Sequence, residues 1–193
     1  LKFCWPIFLG SFILWIQNES YRFLLGFVSG VKALGLFSVG FGLGSKMCQK
    51  FLLLVQDFYN PIFFQEIANA SKEKIEAACA KYSNVFFPAI VLLGAFICCG
   101  SSFLSVIFVA PAFQEVSTTA IFWSGIFYIF AGVLAVYRMF AVAVMDLKVV
   151  IVPYTVGAIV AVTAIPLLCR QFPFVGAGVA VVAGAAASCG CLF

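Results

Sequence analysis

Apolar runs long enough to cross a lipid bilayer follow one another along this chain, with only short polar breaks between them. A bilayer's hydrocarbon core is about 30 Å thick and takes about 20 helical residues to span. In lipid, every backbone N–H and C=O must be paired within its own segment or in a closed barrel, and runs of this length take the helical solution. The spacing predicts six spans. They are Phe3 to about Gln17, continuing past a polar break to Gly26; Leu34 to about Ala68; Val85 to Val109; Thr119 to Met139; Val149 to Leu168; and Phe174 to Phe193. Composition closes off the alternatives. Of the 193 residues, 65% are hydrophobic and 9% are charged, against roughly 25% charged in a soluble domain. Too little charge remains to form a soluble shell. This excludes a soluble globular enzyme, a disordered chain and a nucleic-acid binder; the basic excess, 11 against 7, is small and spread out. The expected fold is an all-α, polytopic membrane helix bundle, with residues 1–193 forming a single lobe.

The breaks carry further expectations. Gln17 to Arg22 interrupts the first run, and a Gly-rich link follows from Gly26 to Ala33. The second run reads as one helix of roughly 51 Å, so its C-terminal end should protrude from the membrane, with a kink expected at Pro61. Asn69 to Tyr82 is the charge-dense stretch, and residues 68–83 read as a cytoplasmic amphipathic connection. Ile75, Ala78, Cys79 and Tyr82 form a helical stripe. Two readings stand for it: a helix lying on the membrane surface, or a solvated extension of the neighbouring spans. In the sixth span Gly176, Ala180, Gly184 and Ser188 recur every four residues, a seam that lets helix backbones approach closely. The chain starts at Leu1 and stops at Phe193 inside apolar runs, and it reads as a piece of a longer membrane protein.

The chain contains no histidine. Histidine metal sites, histidine-based nucleophile pairs and proton relays are thereby removed. The eight cysteines form no C-x-x-C pair and read as small buried hydrophobes. No catalytic constellation, metal site or cofactor motif is expected. The second span holds the residues of interest. Lys46 lies about 18 Å past Leu34, well within the hydrocarbon depth, and Lys50 is one turn further. Gly35, Ser38, Gly42, Lys46, Gln49, Lys50, Asp57 and Asn60 fall near one helical face. Charge at that depth is costly and faces a bundle interior or a watery cavity; the alternative is that the lysines snorkel to the interface. Glu19 and Arg22, three apart, either pair with each other or send Arg22 into a central cavity. Asp57 and Glu19 are candidate ion-coupling sites, and Asp57 and Glu66 otherwise read as solvated. Arg138 and Asp146 read as interfacial anchors.

Several stretches together carry a family resemblance. They are Pro6 to Gly10, Tyr21 to Gly26, Ala33 to Gly40, Tyr59 to Pro61, and Phe172 to Ala180. In this order and spacing the chain resembles one six-helix lobe, the C-terminal one, of the oligosaccharide and O-antigen flippases. These belong to the multidrug/oligosaccharidyl-lipid/polysaccharide exporter superfamily. Tyr21 stands where the family pattern has an Asp, and Phe37 where it has a Tyr. The resemblance implies half of a two-lobe exporter in the inner (plasma) membrane. Such an exporter flips undecaprenyl-pyrophosphate-linked oligosaccharide by alternating access and has a second lobe as partner. Lys46, Lys50, Arg22 and Gln49 would then meet the anionic lipid-linked diphosphate. Two other classes remain beside it: a cation-coupled multidrug exporter of the same superfamily, which favours a buried carboxylate, and a non-catalytic membrane scaffold subunit. A membrane enzyme acting on lipid-linked sugars would need paired carboxylates, histidine or a metal-binding loop in the short connections.

Basic residues orient the spans. One side receives Lys2, Lys72, Lys74, Lys81, Arg138 and Lys148, and the other Arg22, Lys32 and Arg170. The side richer in Lys and Arg is cytoplasmic, so the 68–83 segment is expected there. A Ser71→Cys chain should gain labelling by a membrane-impermeant thiol reagent, above the parent chain, only when the cytoplasmic side is opened. Gain of labelling from outside in intact cells would reverse the orientation.

Overall fold

A computed structural model describes residues 4–68, 70–143 and 148–192 of the protein, and it is helical throughout. In chain order the elements are α1 (Cys4–Ile67), α2 (Lys72–Cys99), α3 (Ser101–Phe108), a 3-10 turn at Pro111–Phe113, α4 (Gln114–Ala143), α5 (Lys148–Cys169) and α6 (Pro173–Gly190). Asp146 and Lys2 lie outside the described residues.

Helix α1 is not a rod. Sixteen to twenty helical residues span about 24–30 Å, yet the Tyr21 ring lies 5.7 Å from that of Phe37 and 5.1 Å from that of Phe41. The chain therefore folds back on itself. It does so at Gly30, whose φ of 85° and ψ of 163° form the one non-helical position inside the helix. That region of backbone space is essentially open to glycine alone. The result is an antiparallel hairpin of two arms, 4–29 and 31–67, turning on a single residue where the sequence suggested a Gly-rich link. Five helices are long and apolar enough to cross a membrane; with the first folded in two, the bundle presents six rods of membrane length, the number expected.

The 31–67 arm is about 56 Å long at 1.5 Å per residue, so it overhangs a bilayer core by several turns. It stays helical through Pro61, and the expected kink does not break it. Proline removes only the donor to the Asp57 carbonyl, and at an exposed position water can replace that bond. The overhang is covered by the first turns of α2. Tyr82 donates to Asn60 Oδ1 at 3.2 Å, Lys81 pairs with Glu66 at 2.5 Å, and the Phe63 and Tyr82 rings are 5.3 Å apart. The connection is thus 68–71, and the rest of the charge-dense stretch is an extension of α2. Its stripe is spent on protein: Ala78 and Tyr82 are buried in a cluster with Phe63, Phe86 and Ile90. At the other end of α2 the chain bends at Gly100 into α3, whose Phe103, Val106, Ile107 and Phe108 point outward.

The six rods are held by close approach at small residues. Gly176, Ala180, Gly184 and Ser188 are all buried on α6, and α6 packs most extensively on α5. A Cβ at Gly184 would stand 2.8 Å from both the Ala161 Cβ and the Gly157 carbonyl. On the 31–67 arm, Gly40 lies against the backbone of Ser117 in α4. The outer surface carries apolar side chains such as Phe27, Leu92 and Leu167, at 91, 71 and 71% exposure, which suits a lipid neighbour. Cys48, Cys79, Cys98, Cys99, Cys169, Cys189 and Cys191 are free thiols; Cys48, Cys169 and Cys189 are buried, while Cys99 and Cys191 are exposed.

The hairpin yields a test. No atom lies within 4 Å of a Cβ placed on Gly30, so Gly30→Ala meets only the backbone penalty, about 1–3 kcal/mol. Gly35→Ala, also in open space but helical, should be neutral or slightly stabilising. Thermal unfolding of the detergent-solubilised protein should separate the two variants by several degrees. Equal midpoints would refute a turn at Gly30.

Candidate functional site

Polar side chains that sequence spacing scattered over the chain converge between the two arms of α1 and helices α4, α5 and α6. They line a cavity of about 440 Å³, within the roughly 300–1,000 Å³ usual for small-molecule sites. Gln17 and Asn18 come from the first arm, and Gln49, Gln56 and Asn60 from the second. Tyr128 and Arg138 come from α4 and Tyr154 from α5, with Leu14, Leu52, Leu134 and Ala185 among the apolar walls. Among the described residues Arg138 is the charged group of the lining, which holds no carboxylate.

Local packing explains why Gln17 points inward. Its Nε2 donates to Ser188 Oγ at 3.0 Å, and that hydroxyl donates in turn to the Gly184 carbonyl at 3.1 Å. Room for this chain is made by Gly157 on α5. A Cβ there would come within 2.6 Å of both Gln17 Nε2 and the Gly184 carbonyl, and would overlap Ser188 Oγ. Gln17 is 1% exposed, and its Oε1 has no partner. A net hydrogen bond contributes about 0.5–1.5 kcal/mol, while a buried unpartnered acceptor costs about 1–3 kcal/mol. The unpartnered acceptor is therefore a net expense to the fold.

Of the residues singled out from sequence, Gln49 lines this cavity. Lys46, Lys50 and Asp57 lie exposed on the 31–67 arm and are not part of the lining. A Cβ at Gly35 or Gly42, on the same face, would meet nothing within 4 Å, so this side of the arm is open. Among the described residues Lys46, Lys50 and Asp57 make no ion pair. Arg22 and Glu19 do pair, at 2.7 Å and partly exposed, and Arg22 Nε also donates to the Tyr21 hydroxyl at 3.2 Å. That leaves Arg22 out of the cavity lining. Sequence reasoning passed over Gln17, Asn18 and Gln56, and it read Arg138 as an interfacial anchor where the structure places it in the cavity lining. The available signal was chemical: amides inside or beside apolar runs are costly unless they serve a contact or a cavity.

Gly157→Ala should disrupt this corner. The added methyl group must displace Ser188 or Gln17, an overpacking penalty of about 1–3 kcal/mol. Gly42→Ala, facing open space, should not. Size-exclusion profiles of heated detergent extracts would show a lower melting midpoint for the first variant only, and unchanged behaviour of Gly157→Ala would contradict the packing described.

Comparison with known proteins adds one finding. A family described as polysaccharide biosynthesis protein matches residues 1–111, which covers α1, α2 and α3. No curated protein and no solved structure matches the chain.

Proposed function

The chain belongs to the polysaccharide biosynthesis protein family, and from that premise we propose that it is one lobe of a membrane transporter for a lipid-linked oligosaccharide diphosphate. The multi-pass helical bundle supplies the membrane setting. The observation that carries the reading is the open polar face of the 31–67 arm, with Lys46, Gln49, Lys50 and Asp57 exposed on a membrane-length helix. A lysine at mid-membrane costs about 2.5–3.5 kcal/mol on insertion scales. Such a face is favourable against water or another polypeptide, and unfavourable against acyl chains.

A second lobe set against this face would enclose an aqueous passage, and rocking of the two lobes would expose it to each side in turn. The cargo is the part of such a conjugate that cannot cross lipid: an anionic diphosphate with its sugars. Lys46 and Lys50 would attract the phosphates by charge-assisted hydrogen bonds, Gln49 would take sugar hydroxyls, and the lipid tail would stay in the bilayer. Arg22, tied to Glu19, would serve at the rim of the passage, and Asp57 would be the carboxylate available to a coupling cation. The setting proposed is the inner (plasma) membrane. Binding and reorientation need no bond to be broken, so the reading asks for no catalytic group.

Lys46 tests it. In the full-length transporter, Lys46→Ala should reduce surface polysaccharide about tenfold or more, the scale of one lost charged hydrogen bond, without lowering the amount of membrane protein. Lys46→Arg should keep part of the activity because a cation remains. Lys46→Glu should be worse than Ala because it repels the phosphates. Normal surface polysaccharide with Ala at this position would remove Lys46 from the passage. A parallel loss of protein and activity would make it structural.

A further inference from the structure

We propose that the cavity between the two arms of α1 and helices α4 to α6 is a binding site for a hydroxyl-rich ligand bearing one acidic group, a sugar acid or sugar phosphate. The site lies inside this bundle, between its own helices. It is lined by residues of this chain and meets the open face that carries Lys46 and Lys50 at Gln49, which belongs to both.

Four observations converge on that ligand class. First, Gln17 brings an amide side chain to the cavity wall, held in place by Ser188. Second, the side chains of Asn18, Gln49 and Gln56 make no hydrogen bond among the described residues, although all three line the cavity. Amides offer a donor and an acceptor side by side, and adjacent sugar hydroxyls do the same. Third, among the described residues Arg138 makes no ion pair and the lining holds no carboxylate. A guanidinium so placed favours a carboxylate or phosphate and repels a cation. Fourth, Leu14, Leu52 and Leu134, with Tyr128 and Tyr154, give the cavity apolar walls beside its polar groups. A ring with hydroxyls on its edge and C–H bonds on its face suits that mixture, whereas an inorganic anion would leave the walls unused.

A metal or alkali cation fits poorly, because among the described residues the charge of the lining is positive. A lipid tail fits poorly because the side chains of Asn18, Gln49 and Gln56 would lose water without gaining partners. The acidic sugar has two sources, a free solute or the head of a membrane-bound conjugate. The chemistry at Arg138 and the amides is shared between them.

Binding to this chain alone provides the test, so the outcome is independent of whether the transport reading holds. The protein is placed in nanodiscs of phosphatidylcholine and titrated by equilibrium dialysis with labelled glucuronate, glucose 6-phosphate and glucose. The two acidic sugars should bind at least tenfold more tightly than glucose. Arg138→Gln should reduce that preference to less than threefold. Gln49→Leu and Gln56→Leu, at positions that hold no structural hydrogen bond, should weaken all three ligands. Lys74→Gln, on the α2 extension, should change nothing. Adding phosphatidylglycerol to the nanodiscs separates the sources. Competition with glucuronate means that a membrane-bound head group reaches the site; its absence means that the ligand enters from water. No saturable binding, equal affinity for all three sugars, or an Arg138→Gln chain that keeps the tenfold preference would overturn the proposal.

Discussion

Close contact between helix backbones is the interaction on which this bundle rests. Lipid tails are as apolar as leucine, so burying leucines does little to draw membrane helices together. Dispersion between well-fitted surfaces and a few interhelical hydrogen bonds must suffice. The fit is made at glycines. Gly157 and Gly184 bring α5 and α6 into contact, Gly40 and Gly44 seat the 31–67 arm on Ser117 and Ser124 of α4, and Gly94 and Gly125 seat α2 on α4. Each contact places a backbone or a small polar side chain where a methyl group would collide. The polar cavity follows from the same arrangement, since Gln17 reaches Ser188 only because Gly157 leaves space for both.

Much of the architecture was legible in the sequence because the membrane admits few solutions. Span length, the helical state and the small-residue seam of α6 all follow from lipid physics acting on local composition. The turn at Gly30 was less legible. Glycine-rich stretches permit both a loose link and a sharp reversal, and the choice falls to distant packing of Tyr21 on Phe37 and Phe41. The stripe from Ile75 to Tyr82 was open for a similar reason. An amphipathic face records that something apolar covers it, and here that cover is the overhanging end of the 31–67 arm.

The candidate site was read only in part, and the residues show why. Gln49 was found because it shares a helical face with Lys46 and Lys50. Gln56 lies about two turns from Gln49 on the same face of that arm and could have been read with it, whereas Gln17 and Arg138 stand on the other arm and on α4 and meet this face through tertiary packing, which periodicity along one helix does not encode. The resemblance to the flippases carries information of another kind. Its two departures, Tyr21 in place of an Asp and Phe37 in place of a Tyr, lie edge to face with ring centroids 5.7 Å apart. Where the pattern has polar groups, this chain has an aromatic pair buried beside the turn of the hairpin. The two replacements thus form one local change in the packing of the arms.

The bond from Gln17 to Ser188 also bears on how such a bundle comes into being. Its partners are 171 residues apart, so it joins α1 to α6. At roughly 5–20 residues per second, a ribosome needs about 10–30 s to pass from one to the other. Throughout that interval the Gln17 amide sits in the first span without its eventual acceptor, in a stretch that also carries Asn18, Glu19 and Arg22. The early hairpin must therefore wait near water, or beside an attendant that supplies polar contacts, until α6 arrives. Packing of the 4–29 arm around its buried amide thus waits on the synthesis of α6.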